Sequence, residues 1–337
     1  MSVTDHEIFE LGEFAFAGGT VPDARLAYQT YGELADDKSN AILFPTWFAG
    51  THMHNEWLIG PGKALDTTRY FVIVPNLFGN GLSSSPSNTP APYDHARFPN
   101  VTILDNVTAQ HRLITEHFGI TRLALVTGAS MGAAQAYQWA VRYPDMVERL
   151  APITGSSHTS PHNKVFLDGL RYALTADAAF ADGDYLEPPR LGLRAFARVL
   201  AGWALSQAFY WERVYEKVGF ATLDDFLTNL WEPIFATADA NDLLAQIWTW
   251  KHADIGLTPG FDGDTEAALA AITAKTVALP ALKDLYFPPE DEAWAVGHMR
   301  DAKLIVVPGI WGHLTGGGSD PEGAVFIDNA LRELLAR

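Results

Sequence analysis

Runs of apolar residues separated by polar and glycine-rich stretches predict the strands of this chain. Residues 9–16 and 24–31 flank Gly18 and Gly19, and the second run alternates between apolar and polar positions, so the two predict a β-hairpin. Short continuous apolar runs are typical of strands that are buried on both faces of a sheet. Such runs lie at residues 41–44, 70–74, 123–126, 150–154, 277–282 and 304–307.

Apolar positions with helical spacing predict helices between these strands. In residues 101–118 they recur on one face, with Asp105 as the predicted N-cap, and residues 324–335 form a second amphipathic pattern. Residues 158–275 contain helical patterns and no strand-like run. The helices predicted there cover residues 191–209, 210–218, 223–235 and 241–253.

The alternation of strands and helices predicts an α/β fold with a mostly parallel central sheet flanked by helices. We expect residues 1–157 and 276–337 to form the core and residues 158–275 to be inserted as a helical cap. Ligands of open α/β sheets bind at the carboxyl edge of the strands, so the cap is expected to cover that edge.

Composition and charge exclude several classes of function. A net charge of −17 argues against nucleic acid or an anionic membrane surface as a partner. The chain has no cysteine, which excludes disulfides, thiolate nucleophiles and zinc–thiolate sites. Residues 1–7 lack a basic segment followed by an apolar one, and no long uninterrupted apolar window is present. We therefore expect neither a signal peptide nor a membrane span, and a cytoplasmic location.

The sequence Gly128-Ala129-Ser130-Met131-Gly132 is a candidate nucleophile elbow. It follows a predicted strand and precedes an alanine-rich segment at 133–141, which predicts the strand–turn–helix context that this motif requires. The G-x-S-x-G pattern alone is common and matches by chance. The flanking strand and helix favour the catalytic interpretation, in which Ser130 is the nucleophile.

A nucleophilic serine needs a histidine as general base and a carboxylate that orients the histidine. In α/β-hydrolases these residues follow in the order serine, acid, histidine, each in a loop after a strand. Asp284 lies after the next-to-last predicted strand and His313 after the last one, so we predict a triad of Ser130, Asp284 and His313. Glu290 and Asp291 are alternative acids, although they lie further from the strand and follow two prolines.

The oxyanion of the tetrahedral intermediate needs two backbone N–H donors. Met131, which follows the nucleophile, is the first candidate. The turn after the strand at 41–44 supplies the second, from Trp47 or Phe48, with Gly50 allowing a tight turn. Side chains of the two aromatic residues are equally suited to core packing.

Two other patterns favour plain structural roles. His52-x-His54 offers two metal ligands but no further partner at a recognisable spacing, so we predict no metal site. The glycines at 316–318 lack the lysine of a P-loop and the context of a dinucleotide motif, so we predict a flexible link into the last helix.

The chain resembles the homoserine O-acetyltransferase family of α/β-hydrolases over nearly its whole length. The resemblance lies in residues 28–34, 66–73, 128–132, 139–145, 183–185, 239–241, 284, 287–290 and 312–313. It implies the α/β-hydrolase fold with an inserted helical cap and a triad of Ser130, Asp284 and His313. It also implies Phe48 and Met131 as the oxyanion N–H donors, and a homodimer formed through the cap.

The position after the catalytic histidine departs from the transferases of this family. They usually carry an aspartate there that binds the substrate amine, whereas this chain has Leu314. An apolar side chain cannot pair with an ammonium group, whose desolvation is costly. The sequence therefore predicts an esterase-like member, with Trp47 and Leu314 in the substrate pocket.

Three functions are weighed on these grounds. The first is a serine hydrolase that cleaves a small carboxylic ester, or a related acyl compound, through an acyl-serine intermediate and needs no cofactor. The second is an O-acyltransferase that uses acetyl-CoA as co-substrate. The third is a catalytically silent binding protein on the same fold, which the complete set of triad residues disfavours.

Overall fold

The computed structural model describes residues 5–337, so the first four residues of the segment used to predict the absence of a signal peptide lie outside it. Within the described part, eight strands form one sheet. They are β1 (Glu7–Phe16), β2 (Gly19–Tyr31), β3 (Ala41–Leu43), β4 (Phe71–Pro75), β5 (Leu125–Ala129), β6 (Arg149–Ile153), β7 (Lys275–Ala278) and β8 (Ala302–Leu304).

The sheet has the strand order β1-β2-β4-β3-β5-β6-β7-β8. The predicted hairpin is confirmed, because β1 pairs antiparallel with β2, and β2 pairs antiparallel with β4. All other neighbours are parallel. The prediction of a mostly parallel sheet is therefore also confirmed, and the carboxyl ends of its parallel strands meet at one edge.

Twelve α-helices accompany the sheet within residues 5–337. They are α1 (Ile103–Arg112), α2 (Met131–Arg142), α3 (Pro161–Thr175), α4 (Arg190–Ala204), α5 (Gln207–Trp211), α6 (Val214–Lys217), α7 (Leu223–Phe226), α8 (Glu232–Phe235), α9 (Ala240–Lys251), α10 (Thr265–Ala271), α11 (Pro289–His298) and α12 (Pro321–Leu335). None of the described helices is long and apolar enough to cross a membrane.

The two faces of the sheet bury different sets of side chains. Adjacent strand residues point to opposite faces, so Leu125 and Val126 of β5 belong to different cores. Val126 faces the core that includes α1 and α2, whereas Leu125 packs on the face covered by Ile327 and Leu331 of α12. Burial on both faces explains why the central strands β3 and β4 are continuous apolar runs.

The N-terminus of α1 corrects one prediction. Thr102, not Asp105, is the N-cap, and its hydroxyl accepts a hydrogen bond from the Asp105 N–H at 3.1 Å. The Asp105 carboxylate accepts the Thr102 N–H in return, at 2.8 Å, which completes a capping box. The same carboxylate oxygen accepts from the N–H of Ala17 at 3.1 Å, so the N-terminal hairpin is fastened to α1.

The last two strands are shorter than predicted. The apolar run 304–307 begins at the final residue of β8, and Val307 contributes only an isolated bridge to Ala281. Pro280 interrupts the ladder because it has no N–H, although its carbonyl accepts the N–H of Val307 at 2.8 Å. The chain therefore leaves the sheet in two loops that run side by side.

All the regular elements between residues 161 and 271 are helical. Three helices were not predicted, α3 and α10 in this region and α11 beyond it, and α3 and α11 begin with a proline in their first turn. The predicted helix 191–209 is interrupted before Ser206, whose hydroxyl caps α5 by accepting the N–H of Phe209 at 3.1 Å. That these helices form a separate cap with the boundaries 158 and 275 stays a prediction.

Candidate active site

Ser130 lies between β5 and α2 in a strained backbone conformation, with φ 55° and ψ −122°. A non-glycine residue at positive φ costs energy and marks functional turns. The turn needs small neighbours, because a Cβ on Gly128 would collide with the Gly132 carbonyl across the turn. A hydrogen bond from the Ser130 N–H to the Ile153 carbonyl, at 3.0 Å, ties the turn to β6.

Asp284 and His313 are joined by a hydrogen bond of 2.8 Å between Oδ2 and Nδ1. The other carboxylate oxygen, Oδ1, accepts the N–H groups of Tyr286 at 2.8 Å and Phe287 at 3.2 Å. Since both oxygens have fixed donors, the carboxylate has one orientation. Its acceptor role places the proton of His313 on Nδ1 and leaves Nε2 free to accept.

The loop that carries Asp284 is held by residues from the helical region. The side-chain amide of Asn163 in α3 donates to the Tyr286 carbonyl at 2.7 Å, and the Tyr286 hydroxyl donates to the Leu200 carbonyl in α4 at 3.1 Å. The Tyr286 ring also meets the His313 ring edge-on, with centroids 4.7 Å apart. Burial raises the pKa of the Tyr286 hydroxyl, which therefore stays a neutral donor.

The alternative acids lie elsewhere. Glu290 and Asp291 belong to the first turn of α11, and the carboxylate that contacts His313 is that of Asp284. Burial raises the pKa of Asp291. The next residue, Glu292, is fully buried, which raises its pKa to about 8, and it accepts a hydrogen bond from the Tyr137 hydroxyl at 2.6 Å.

The proposed nucleophile and base line one cavity of about 370 Å³. Ser130 and His313 both line it, as do the predicted pocket residues Trp47 and Leu314. Its remaining walls are largely apolar and come in part from the helical region. The large side chains contributed from there are Leu200, Leu230, Trp231, Ile234, Phe235 and Trp250. None of the described residues that line the cavity is Asp, Glu, Lys or Arg.

The turn after β3 reaches the same cavity with Phe48. It closes through a hydrogen bond from the Gly50 N–H to the Trp47 carbonyl at 2.9 Å. Met131 is the first residue of α2, where the N–H has no partner within the helix. Among the hydrogen bonds formed by residues 5–337, none is donated by the N–H of Phe48 or of Met131. Neither N–H group therefore has a hydrogen-bond acceptor among residues 5–337.

The histidines of the His52-x-His54 pattern have other partners. His52 Nδ1 lies 3.2 Å from the side-chain amide of Asn76, and burial lowers the His52 pKa. His54 Nδ1 accepts the N–H of Thr51 at 3.0 Å. Across residues 5–337, no group of three or more histidine or acidic side chains is arranged to hold a metal ion.

The prediction of a flexible link at 316–318 is wrong. Gly312–Gly317 forms a 3₁₀ segment directly after the last strand loop, and Gly316 is buried in it. A Cβ on Gly316 would collide with the Thr154 side chain, so glycine is needed for close packing at this point. Gly316 and Gly317 are part of the cavity wall.

Comparison with known proteins points to one fold family. A sequence profile described as alpha/beta hydrolase fold matches residues 42–296. A probable esterase of Corynebacterium glutamicum is 40% identical over 324 residues, which cover 94% of this chain and 92% of that protein. An ethyl acetate hydrolase of Pseudomonas veronii is 40% identical over 336 residues, which cover 98% of this chain and 95% of that protein.

Solved structures give the same result. The acetyl esterase MekB superposes with a TM-score of 0.96 at 39% identity, covering 98% of this chain and 97% of that one. The predicted relationship to homoserine O-acetyltransferases is confirmed at a greater distance. The enzyme of Leifsonia xyli is 33% identical over 344 residues, which cover 90% of this chain and 83% of that protein.

Proposed function

Because the chain belongs to the α/β-hydrolase fold family, we propose that it is a carboxylic ester hydrolase that cleaves small esters through an acyl-serine intermediate. The observation that carries the proposal is the Asp284–His313 hydrogen bond on the same cavity as the strained Ser130. Relatives named as an ethyl acetate hydrolase, a probable esterase and an acetyl esterase support it.

Acylation begins when Ser130 Oγ attacks the carbonyl carbon of the ester. His313 Nε2 takes the hydroxyl proton as the carbon–oxygen bond forms, and Asp284 stabilises the resulting imidazolium through Nδ1. The carbonyl oxygen becomes an oxyanion that accepts hydrogen bonds from the N–H groups of Phe48 and Met131. Collapse of this intermediate expels the alcohol, which receives the proton from His313.

Deacylation repeats these steps with water. His313 Nε2 removes a proton from the water as its oxygen attacks the acyl carbon. The second oxyanion occupies the same two N–H groups, and its collapse returns the proton to Ser130 Oγ and releases the carboxylic acid. The chain's own side chains supply every proton transfer, so the reaction needs no cofactor.

The size and polarity of the cavity support small, uncharged substrates. A volume of about 370 Å³ lies near the lower end of the range for ligand sites. Its walls offer no Asp or Glu among the described residues, so a substrate ammonium would lose its hydration without a counter-ion. This argues for short acyl and alkyl groups and against an amino-acid substrate.

The test compares wild type with Ser130→Ala on p-nitrophenyl acetate and on ethyl acetate. We expect hydrolysis by the wild type and a loss of at least about a thousandfold in kcat for the variant, because the nucleophile is removed. Equal rates in the two proteins would refute the proposal. Labelling of Ser130 by a fluorophosphonate, located by mass spectrometry, identifies the nucleophile independently.

Acyl transfer from acetyl-CoA is the second candidate, because the same acyl-enzyme serves both reactions and transferases are among the more distant relatives. Leu314 lies on the cavity where an amine-binding group would be needed. Release of CoA from acetyl-CoA that increases with homoserine or serine would favour transfer. Release that is independent of the acceptor would argue against it.

Three further assignments belong to the same proposal. The helices between residues 158 and 275 act as a cap over the cavity, two copies of the chain associate through that cap, and the enzyme works in the cytoplasm. Contributions of α4, α8 and α9 to the cavity wall support the first. Light scattering of the purified protein tests the dimer, and cell fractionation tests the location.

A further inference from the structure

We propose that Gln246 of α9 is a positioning residue that sets the direction of the Phe48 N–H. This role rests on the proposed function, in which that N–H binds the oxyanion. Gln246 is almost fully buried, and it lies 197 residues along the chain from the turn that it contacts. It belongs to the helical region rather than to the sheet edge that carries the triad.

The side-chain amide of Gln246 joins two loops of the sheet edge. Its Oε1 accepts the N–H of Ala49 at 2.8 Å, and its Nε2 donates to the carbonyl of Gly79 at 2.6 Å. Neither loop can shift relative to α9 without breaking one of these bonds. An amide suits this place because it presents one acceptor and one donor, which a carboxylate or an aliphatic side chain cannot do together.

The bond to Ala49 matters because of the backbone conformation there. Ala49 has φ 56°, a left-handed conformation that is unfavourable for a residue with a Cβ. The peptide plane that precedes Ala49 contains its N–H and the Phe48 carbonyl, so fixing the N–H fixes this plane. Rotation of the plane to relieve the strain would alter ψ of Phe48 and displace the neighbouring peptide that carries the Phe48 N–H.

The same helix also contacts the Phe48 side chain. Trp250, one turn beyond Gln246, packs against the Phe48 ring with centroids 5.7 Å apart. The Asn80 side chain also bonds to the turn, donating to the Gly50 carbonyl at 3.1 Å. The turn is thus held by α9 and by the 79–85 loop, and Gln246 bonds both to the turn and to that loop.

The test replaces Gln246 by methionine, which has a similar volume and forms neither hydrogen bond. The matched control is Thr249→Val on the same helix. Thr249 is equally buried and also links α9 to another segment, through a 2.7 Å hydrogen bond to the Val101 carbonyl, and its hydroxyl bonds to the Val101 and Ala245 carbonyls rather than to the turn. Steady-state kcat and KM on p-nitrophenyl acetate and thermal melting are measured for both variants, beside wild type and Ser130→Ala.

We expect kcat of Gln246→Met to fall at least about tenfold with KM nearly unchanged, because loss of a whole oxyanion donor costs about 10²–10³ in kcat and a misdirected one costs less. Thr249→Val should keep kcat within about twofold while it loses a similar amount of thermal stability. Gln246→Glu keeps an oxygen for the Ala49 N–H and should retain more kcat than Gln246→Met.

Two outcomes would overturn the role of Gln246 while leaving the proposed function in place. One is Ser130-dependent hydrolysis with equal kcat in Gln246→Met and Thr249→Val. The other is an equal loss of kcat in Gln246→Met and Gln246→Glu. Wild-type hydrolysis that does not depend on Ser130 would instead refute the proposed function, and the role of Gln246 with it.

Discussion

Replacing Asp284 by asparagine tests the hydrogen-bond geometry of the proposed triad. The two N–H donors of Tyr286 and Phe287 face Oδ1, so the asparagine oxygen has to occupy that side. Its NH₂ group then points at His313 Nδ1, where the carboxylate oxygen of Asp284 accepts a hydrogen bond in the wild type. A donor in this place requires Nδ1 to be the acceptor, which moves the histidine proton to Nε2.

The expected loss follows from that change of tautomer. With a proton on Nε2, His313 cannot accept the hydroxyl proton of Ser130, and the imidazolium loses its counter-charge. In the Ser-His-Asp template the same change lowers kcat by about 10⁴, which corresponds to about 5 kcal/mol in the activation barrier. Asparagine keeps the bonds to both N–H groups, so the fold should be preserved better than with alanine, which leaves two buried donors unpaired at about 1–3 kcal/mol each.

The assay is kcat/KM for p-nitrophenyl acetate between pH 6 and 9, with melting temperatures as a check on folding. Glu290→Gln is the matched control, since it neutralises an acid that is close in sequence but does not contact His313. We expect full activity in the control and a loss of at least about a thousandfold in Asp284→Asn. A folded Asp284→Asn protein with more than about a tenth of wild-type activity would refute the assigned role.

Two further predictions concern charge. Burial raises the pKa of Glu292 to about 8, so the folded protein keeps the Glu292 proton at pH values where the unfolded chain, with a pKa of about 4.3, has lost it. The contribution of Glu292 to the free energy of unfolding is therefore complete below about pH 4.3 and is lost as the pH rises to about 8. Glu292→Gln, which can still accept from Tyr137, should therefore gain in melting temperature over wild type as pH rises from 5 to 9, and a difference that is constant with pH would contradict this. Leu314→Asp places a carboxylate on an apolar wall of the cavity beside His313 and should lower kcat/KM for p-nitrophenyl acetate at least about tenfold. The neutral variant Leu314→Asn should lose less activity. Equal losses in the two variants would mean that the shape of the side chain, rather than its charge, is responsible.

The sheet was predictable because its signals are local. The central strands β3 and β4 are buried on both faces, so their residues form uninterrupted apolar runs. Triad residues follow such runs directly, which is why Asp284 and His313 were placed together from the sequence although 29 residues separate them. The order of the strands within the sheet, by contrast, depends on crossovers that no single run encodes.

Helix ends and long-range contacts were less predictable. Thr102 and Asp105 are both good capping residues, and only the reciprocal hydrogen bonds decide which of them begins α1. Gln246 lies in a predicted helix and Asn163 in a helix that was not predicted, and the sequence pattern assigned neither side chain a role. Each is in fact buried, because its amide satisfies backbone groups of a loop more than 100 residues away in the chain. The sequence pattern shows that a residue is polar, but it does not show which backbone group its side chain will hydrogen-bond to.

Different residues of the site form the acyl-enzyme and select the molecule that attacks it, which explains how one nucleophile elbow serves both esterases and transferases. Ser130, Asp284 and His313 lie in turns and loops that follow the strands, and in the proposed mechanism Ser130 carries the acyl group whichever molecule attacks next. The choice between water and an amino-acid acceptor depends on whether the cavity can hold an ammonium group. Here Leu314 and the apolar side chains of α4, α8 and α9 give such a group no counter-ion, so its desolvation opposes binding. Water needs no counter-ion, and it is the acceptor that this cavity disfavours least.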